Sequence, residues 1–149
     1  MAKLLRLLAF DCQDLAVLSA NFQDGLVRIG EMTYLPRAQR FVLIAARFDW
    51  VRSLEGARER CRAGLHFDHV TKVSRMGFEQ HERDAVLNIL SLSFVETEPP
   101  AGTVEITFSG GAALRLEVEC LEAQAHDIGP RWKATTQPGH PILNGDISA

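Results

Sequence analysis

The sequence predicts an α+β domain dominated by antiparallel strands, curled into a barrel-like or two-layer sheet with one helix packed on it. Three observations lead there. Two alternating runs flank Ser109-Gly110-Gly111: Val104, Ile106 and Phe108 alternate with Thr103, Glu105 and Thr107, and Leu114, Leu116, Val118 and Cys120 alternate with Ala113, Arg115, Glu117 and Glu119. Period-two patterning around a glycine turn is the signature of a hairpin with one apolar and one wet face. One early segment carries helical spacing, through Leu15, Leu18 and Phe22. The remaining apolar runs are short and joined by brief turns, so neighbours in sequence become antiparallel neighbours in space. Seven or eight such strands exceed what a flat sheet holds comfortably, hence a barrel or two layers.

Residues 4–10 alternate weakly and read as a first strand. Asp11 reads as a helix N-cap, Asp14 sits favourably in the first turn, and Phe10 and Leu15 occupy the positions of a hydrophobic staple. The helix should stop near Asp24-Gly25. Residues 26–29 form a short strand, Gly30-Glu31 a turn, and residues 32–35 its return. Residues 40–47 follow, with Phe41, Val42, Leu43 and Ile44 apolar on both faces, the pattern of a central strand. Residues 53–63 are highly charged and read as a helical turn or loop. Residues 64–75 read as a strand pair or one bent strand, 77–84 as a loop, and 87–95 as a strand.

The closing hairpin can be placed in register. A three-residue loop at 109–111 puts Phe108 opposite Ala112, Ile106 opposite Leu114 and Val104 opposite Leu116, with one glycine at positive φ. Glu105 then faces Arg115, an opposite-charge pair worth about 0.2–1 kcal/mol. A two-residue loop would mix the faces and is rejected. Pro130 should stop whatever follows residues 121–128, and Trp132 should anchor the C-terminal segment. Residues 1–132 are thus expected to form a single domain. Residues 133–149, punctuated by Pro138-Gly139, Pro141 and Asn144-Gly145, should be a poorly ordered tail.

The 149 residues are enough to bury a core without disulfides or metals. The apolar stretch near the start is interrupted by Arg6 and too short to span a bilayer, and no signal-peptide pattern is present. A cytoplasmic protein with no membrane association is expected. Three widely spaced cysteines without a Cys-x-x-Cys pair argue against a disulfide framework or a cysteine zinc site. Cys120 reads as a small buried hydrophobe, and Cys61 as a surface-loop cysteine whose arginine neighbours could otherwise make it reactive. The formal net charge is −3, which makes general nucleic-acid binding an unfavoured reading. Residues 36–75 carry nine basic and four acidic side chains and residues 79–127 two basic and ten acidic. That asymmetry marks either an anion-binding face or segments that lie side by side and neutralise each other.

The stretches Leu7-Ala9-Phe10-Asp11 with Asp14-Leu15-Ala16, Phe48-Asp49-Trp50, Gly64-Leu65-His66-Phe67-Asp68-His69-Val70, and Phe108-Ser109-Gly110-Gly111-Ala112 with Leu116-Glu117-Val118-Glu119-Cys120 resemble a bacterial family, domain of unknown function 2948. The resemblance covers most of residues 3–132. It implies a small single-domain bacterial protein and transfers no catalytic residue.

Two constellations are candidates for chemistry. Arg47-Phe48-Asp49-Trp50 packs a cation, a carboxylate and an indole at the end of the central strand, where binding residues concentrate. The competing reading is a tryptophan covering the sheet edge with Asp49 capping a turn. In His66-Phe67-Asp68-His69, strand alternation places His66 and Asp68 on one face and His69 on the other. Two ligands fall short of a zinc site unless Glu117 or Glu119 joins them, so no metal is assigned. No nucleophile elbow surrounds Ser91 or Ser93, and Gly110-Gly111 is no phosphate loop. No cofactor and no catalytic residue is assigned. The favoured function is a non-enzymatic module binding a protein partner or itself, with Arg47, Asp49, Trp50, His66 and Asp68 as binding residues. The alternative is a small enzyme or metal-binding protein using His66, Asp68 and a nearby carboxylate. A partly open, seven-stranded barrel like that of pleckstrin-homology domains is one specific form by analogy.

Overall fold

The computed structural model describes residues 5–56 and 58–134. It is built on strands: β1 (Arg6–Ala9), β2 (Leu26–Arg28), β3 (Met32–Leu35), β4 (Arg40–Phe48), β5 (Glu59–Phe67), β6 (Val70–Met76), β7 (Val86–Glu96), β8 (Gly102–Phe108), β9 (Ala113–Val118) and β10 (Ala123–Lys133). Two helices accompany them, α1 (Cys12–Phe22) and the single turn α2 (Trp50–Ser53). The strands follow the order β1-β10-β5-β4-β2-β7-β8-β9-β6, with β3 on β4, and every pairing is antiparallel. The sheet does not close, because β1 and β6 end the order without pairing to each other. The strand count is ten against the expected seven or eight. No helix among the described residues is long and apolar enough to cross a membrane.

The β8–β9 hairpin has the expected register: Val104 faces Leu116, Glu105 faces Arg115 and Ile106 faces Leu114, and Phe108 N–H donates to the Ala112 carbonyl at 2.9 Å. Both glycines of the loop, not one, take positive φ (77° and 82°), a region a Cβ disfavours. In α1, Asp11 caps as expected: its Oδ1 accepts from Asp14 N–H at 2.8 Å, while Asp14 Oδ2 accepts from Phe10 N–H at 3.0 Å. Leu15, Leu18 and Phe22 are buried. Phe10 stays exposed, so it does not bury against Leu15 as a staple would.

α1 lies against β7 with β1 and β4 beside it, and Leu92 N–H of β7 donates to Ser19 Oγ at 2.9 Å. Both halves of the sheet turn apolar faces to one core. The half formed by β4, β5 and β10 supplies Leu43, Leu65 and Ala125, and the β7–β8–β9–β6 half supplies Ile89, Ile106 and Leu116.

Several local expectations change. β2 and β3 are not a hairpin: both run antiparallel to β4, and a 3-10 turn at Ile29–Glu31 offsets one from the other. The charged stretch 53–63 contains the first half of β5, because Arg60 and Cys61 are buried between β4 and β10. β5 and β6 do not pair; Asp68 and His69, the latter at φ 60°, carry the chain from one half of the sheet to the other. Pro130 does not end the last strand. β10 continues to Lys133 through a register shift between Asp127 and Arg131, where a residue without an N–H costs no ladder hydrogen bond. Lys133 therefore belongs to the body, and residues 135–149 of the expected tail lie outside the described residues.

Candidate functional site

Alternation along β4 sends Phe41, Leu43 and Ala45 to the core, and the same parity carries Arg47 inward at the strand's end. On β10, Asp127 follows Ala123 and Ala125 in the same way. The two meet as a bidentate pair, Arg47 Nε donating to Asp127 Oδ1 at 2.7 Å and an Arg47 Nη to Oδ2 at 2.8 Å. Their side chains are 3% and 0% exposed. Asp127 also accepts from Leu5 N–H at 2.7 Å. Arg131, four residues further along β10, donates to Asp49 Oδ2 at 2.8 Å and stands 3.6 Å from Asp127.

Burial alone would raise the Asp127 pKa, but the bonds from Arg47 and Leu5 and the charges of Arg47 and Arg131 hold it below its ordinary value. For Arg47 burial opposes the charge, yet Asp127 and Asp49 raise its pKa on balance. The network is an ionic clamp of β4 to β10 across β5. Arg47 and Asp49, expected as contact groups, are buried within it.

Cys61 lies opposite Arg47 on β5 and is fully buried, not on a surface loop. Burial and the Asp127 charge raise its pKa against the pull of Arg47 and Arg131, so the neighbouring arginines do not make it a ready thiolate. Cys120 is half-exposed in the bend after β9, not buried in the hairpin face. The indole of Trp50 packs edge-on to Phe48 (4.6 Å between centroids), and its N–H donates to the Gln23 carbonyl at 3.1 Å. Arg60 stands over the Phe48 ring at 5.7 Å and donates to the carbonyls of Asp24 and Ala46. Trp50 thus covers the end of the central strand. Trp132 remains partly exposed opposite Arg60.

The other candidate residues lie on the outer face of the β1–β10–β5–β4 half. The register aligns Leu8, Gln124, His66 and Val42 in one row and Arg6, His126, Gly64 and Ile44 in the next. A Cβ on Gly64 would meet Ile128 Cδ1 at 3.3 Å and His126 Cε1 at 3.4 Å, so those two side chains lie over the bare glycine. Leu8 and Ile128 are 54% and 52% exposed. The ion pairs Arg40–Asp68 (2.7 Å) and Arg62–Glu31 (2.5 Å) also involve residues of this face.

His66 Nε2 is 3.6 Å from Asp68 Oδ2, beyond hydrogen-bond length. Burial first, then Arg40 and His126, lower the His66 pKa against Asp68 and Glu122, which favours the neutral imidazole. His69 points elsewhere, to Glu122 at 3.1 Å. The carboxylate that bears on His66 besides Asp68 is Glu122; Glu117 pairs with Lys72 in the other half of the sheet. Among the described residues no three His, Cys, Asp or Glu side chains are grouped to hold a metal. The structure thus brings His66 and Asp68 together on one face and sends Arg47 and Asp49 inside. Leu8, His126 and Ile128 on that face were missed, although Gln124, His126 and Ile128 alternate with Ala123, Ala125 and Asp127 in the sequence.

The β7–β8–β9–β6 half has a different outer face. A shallow concavity of about 530 Å3 is lined by Ser74, Met76, Ser93, Val95 and Thr103, with Arg115 Nε donating to Glu105 Oε2 at 2.9 Å among them. This face mixes the hydroxyls of Ser74, Ser93 and Thr103 with exposed Met76 and Val95 around the Arg115–Glu105 pair.

A family model described as a protein of unknown function, DUF2948, matches residues 5–140. No curated protein and no solved structure matches the chain.

Proposed function

The chain belongs to the DUF2948 family, and we propose that it is a non-enzymatic protein-binding module whose docking surface is the outer face of β1, β10, β5 and β4. One observation carries this reading: exposed Leu8 and Ile128 and half-buried Val42, Ile44 and His66 share a face with Arg6, Gln124 and His126, and the ion pairs Arg40–Asp68 and Arg62–Glu31 flank it. A face that mixes exposed apolar side chains with polar ones is compatible with a protein interface, whose surface as a whole is about as apolar as the rest of a protein. Trp50, Arg47 and Asp49 contribute by holding the sheet end rigid beneath it. We place the module in the cytoplasm, in keeping with three cysteines that are all free.

The occupant is a second protein surface, either another copy or a partner. Leu8→Glu combined with Ile128→Glu, in the full chain, is the test, with Val95→Glu on the opposite half as the control. Both should keep the wild-type circular dichroism. Light scattering for self-association and affinity capture for a partner should each lose their signal in the double variant alone. Equal loss in the control, or full retention in the double variant, overturns the reading. The alternative, a small enzyme or metal-binding protein, is favoured by the neutral imidazole of His66 beside Asp68 and Glu122; stoichiometric zinc abolished by His66→Ala would be its mark.

A further inference from the structure

The second cavity of the molecule, about 360 Å3, opens between the start of α1, the end of β7 and the bend after β9. It is lined by Phe10, Phe94 and Leu121, and by two cysteines that stand 108 residues apart in the chain, Cys12 and Cys120. Both are free thiols; Cys12 is exposed and Cys120 half-exposed. Cys12 belongs to the first turn of α1, and its Sγ donates to the Phe94 carbonyl at 3.5 Å, which turns it toward the β7 wall of the cavity. Cys120 is brought in from the opposite side by the β9–β10 connection, because β1 and β10 pair as far as Ala9 and Ala123, just before the one cysteine and just after the other. The third thiol, Cys61, is fully buried on β5 and lines neither cavity described above.

We propose that this cavity is a site of reversible thiol oxidation, in which Cys12 and Cys120 form an intramolecular disulfide on reaction with a small hydroperoxide. Cys12, the more exposed sulfur, attacks one peroxide oxygen. The O–O bond breaks, the thiol proton leaves with the departing oxygen as water, and Cys12 becomes a sulfenic acid. The Cys120 sulfur then attacks the Cys12 sulfur, the S–S bond forms as the S–O bond breaks, and the hydroxyl leaves with the Cys120 proton as a second water. Two thiols and one hydrogen peroxide give one disulfide and two waters; sulfur is oxidised and peroxide oxygen reduced. A resolving thiol that shares a cavity with an accessible one is the arrangement that would stop oxidation at this reversible stage. A dithiol reductant restores both cysteines by exchange. The product would tie the first turn of α1 to the β9–β10 bend and narrow the cavity between them.

The test uses the full chain and hydrogen peroxide. The native wild-type protein should lose the mass of two hydrogens, yield a crosslinked Cys12–Cys120 peptide, and recover with dithiothreitol. Cys61→Ser should behave like wild type, whereas Cys12→Ser and Cys120→Ser should retain no intramolecular crosslink. A second probe, phenylarsine oxide, bridges neighbouring thiols without oxidation and should bind one equivalent to wild type and Cys61→Ser but not to the other two variants. Peroxide-treated wild type with all thiols still alkylatable, a crosslink through Cys61, or only intermolecular dimers would overturn the proposal. So would bidentate arsenical binding that survives loss of Cys12 or Cys120.

Discussion

The two halves of the sheet differ in whether charge is also buried. In the β7–β8–β9–β6 half, Arg115–Glu105 and Lys72–Glu117 lie on the outer face and the inner face is apolar. The β1–β10–β5–β4 half also has exposed pairs, Arg40–Asp68 and Arg62–Glu31, but in addition packs Arg47, Asp49, Asp127 and Arg131 at one end of its inner side. The chemistry of the Arg47–Asp127 and Arg115–Glu105 pairs is the same. Their surroundings differ, and surroundings decide what an ion pair does. An exposed pair competes with water and contributes little. A buried pair leaves each partner dependent on the other, because a single buried charge has no water to fall back on.

Asp127→Ala should therefore have the largest effect, a loss of about 3–5 kcal/mol in urea unfolding, since it strands Arg47 in the interior. The same carboxylate sets an acid limb. Its folded pKa is depressed, so its contribution is complete above the unfolded-state value and disappears as pH falls through the folded one. Asp127→Asn should flatten that limb, and an unchanged acid transition would show that the clamp does not carry it. Ile106→Ala, which empties a fully buried position in the other half, should cost about 2–5 kcal/mol with no change in pH profile. That result would sharpen the contrast between an ionic and an apolar anchor. The smallest effect belongs to Arg115 and Glu105: a double-mutant cycle should give a coupling of about 0.2–1 kcal/mol, reduced by salt. A coupling as large as the loss at Asp127 would break the comparison.

The same contrast explains what could be read from the residues alone. The β8–β9 hairpin was legible to the level of single pairs, because strict alternation, a glycine loop and Glu105 opposite Arg115 all select one register. Helix α1 was legible through Asp11 and its apolar stripe. Residues 53–63 read as a helical turn or a charged loop, whereas from Glu59 they are strand, with Arg60 donating to the carbonyls of Asp24 and Ala46 and Cys61 buried. Arg47 and Asp49 read as binding residues from their place at a strand end beside Trp50, and the structure buries both. Charge in a sequence suggests solvent unless the partner is visible, and the partners of these residues, Asp127 and Arg131, stand about eighty positions away.

Local pattern alone determined that this protein is a mainly antiparallel sheet with one capped helix, since side-chain period and turn chemistry act over a few residues. Tertiary structure decided the rest: that β2 and β3 share β4 instead of pairing with each other, that Arg47 is clamped by Asp127, eighty residues further on, and that Leu8, His66 and Ile128 lie on one face. These depend on which strands become neighbours across the sheet, and contacts between distant segments leave no periodic trace in the chain that makes them.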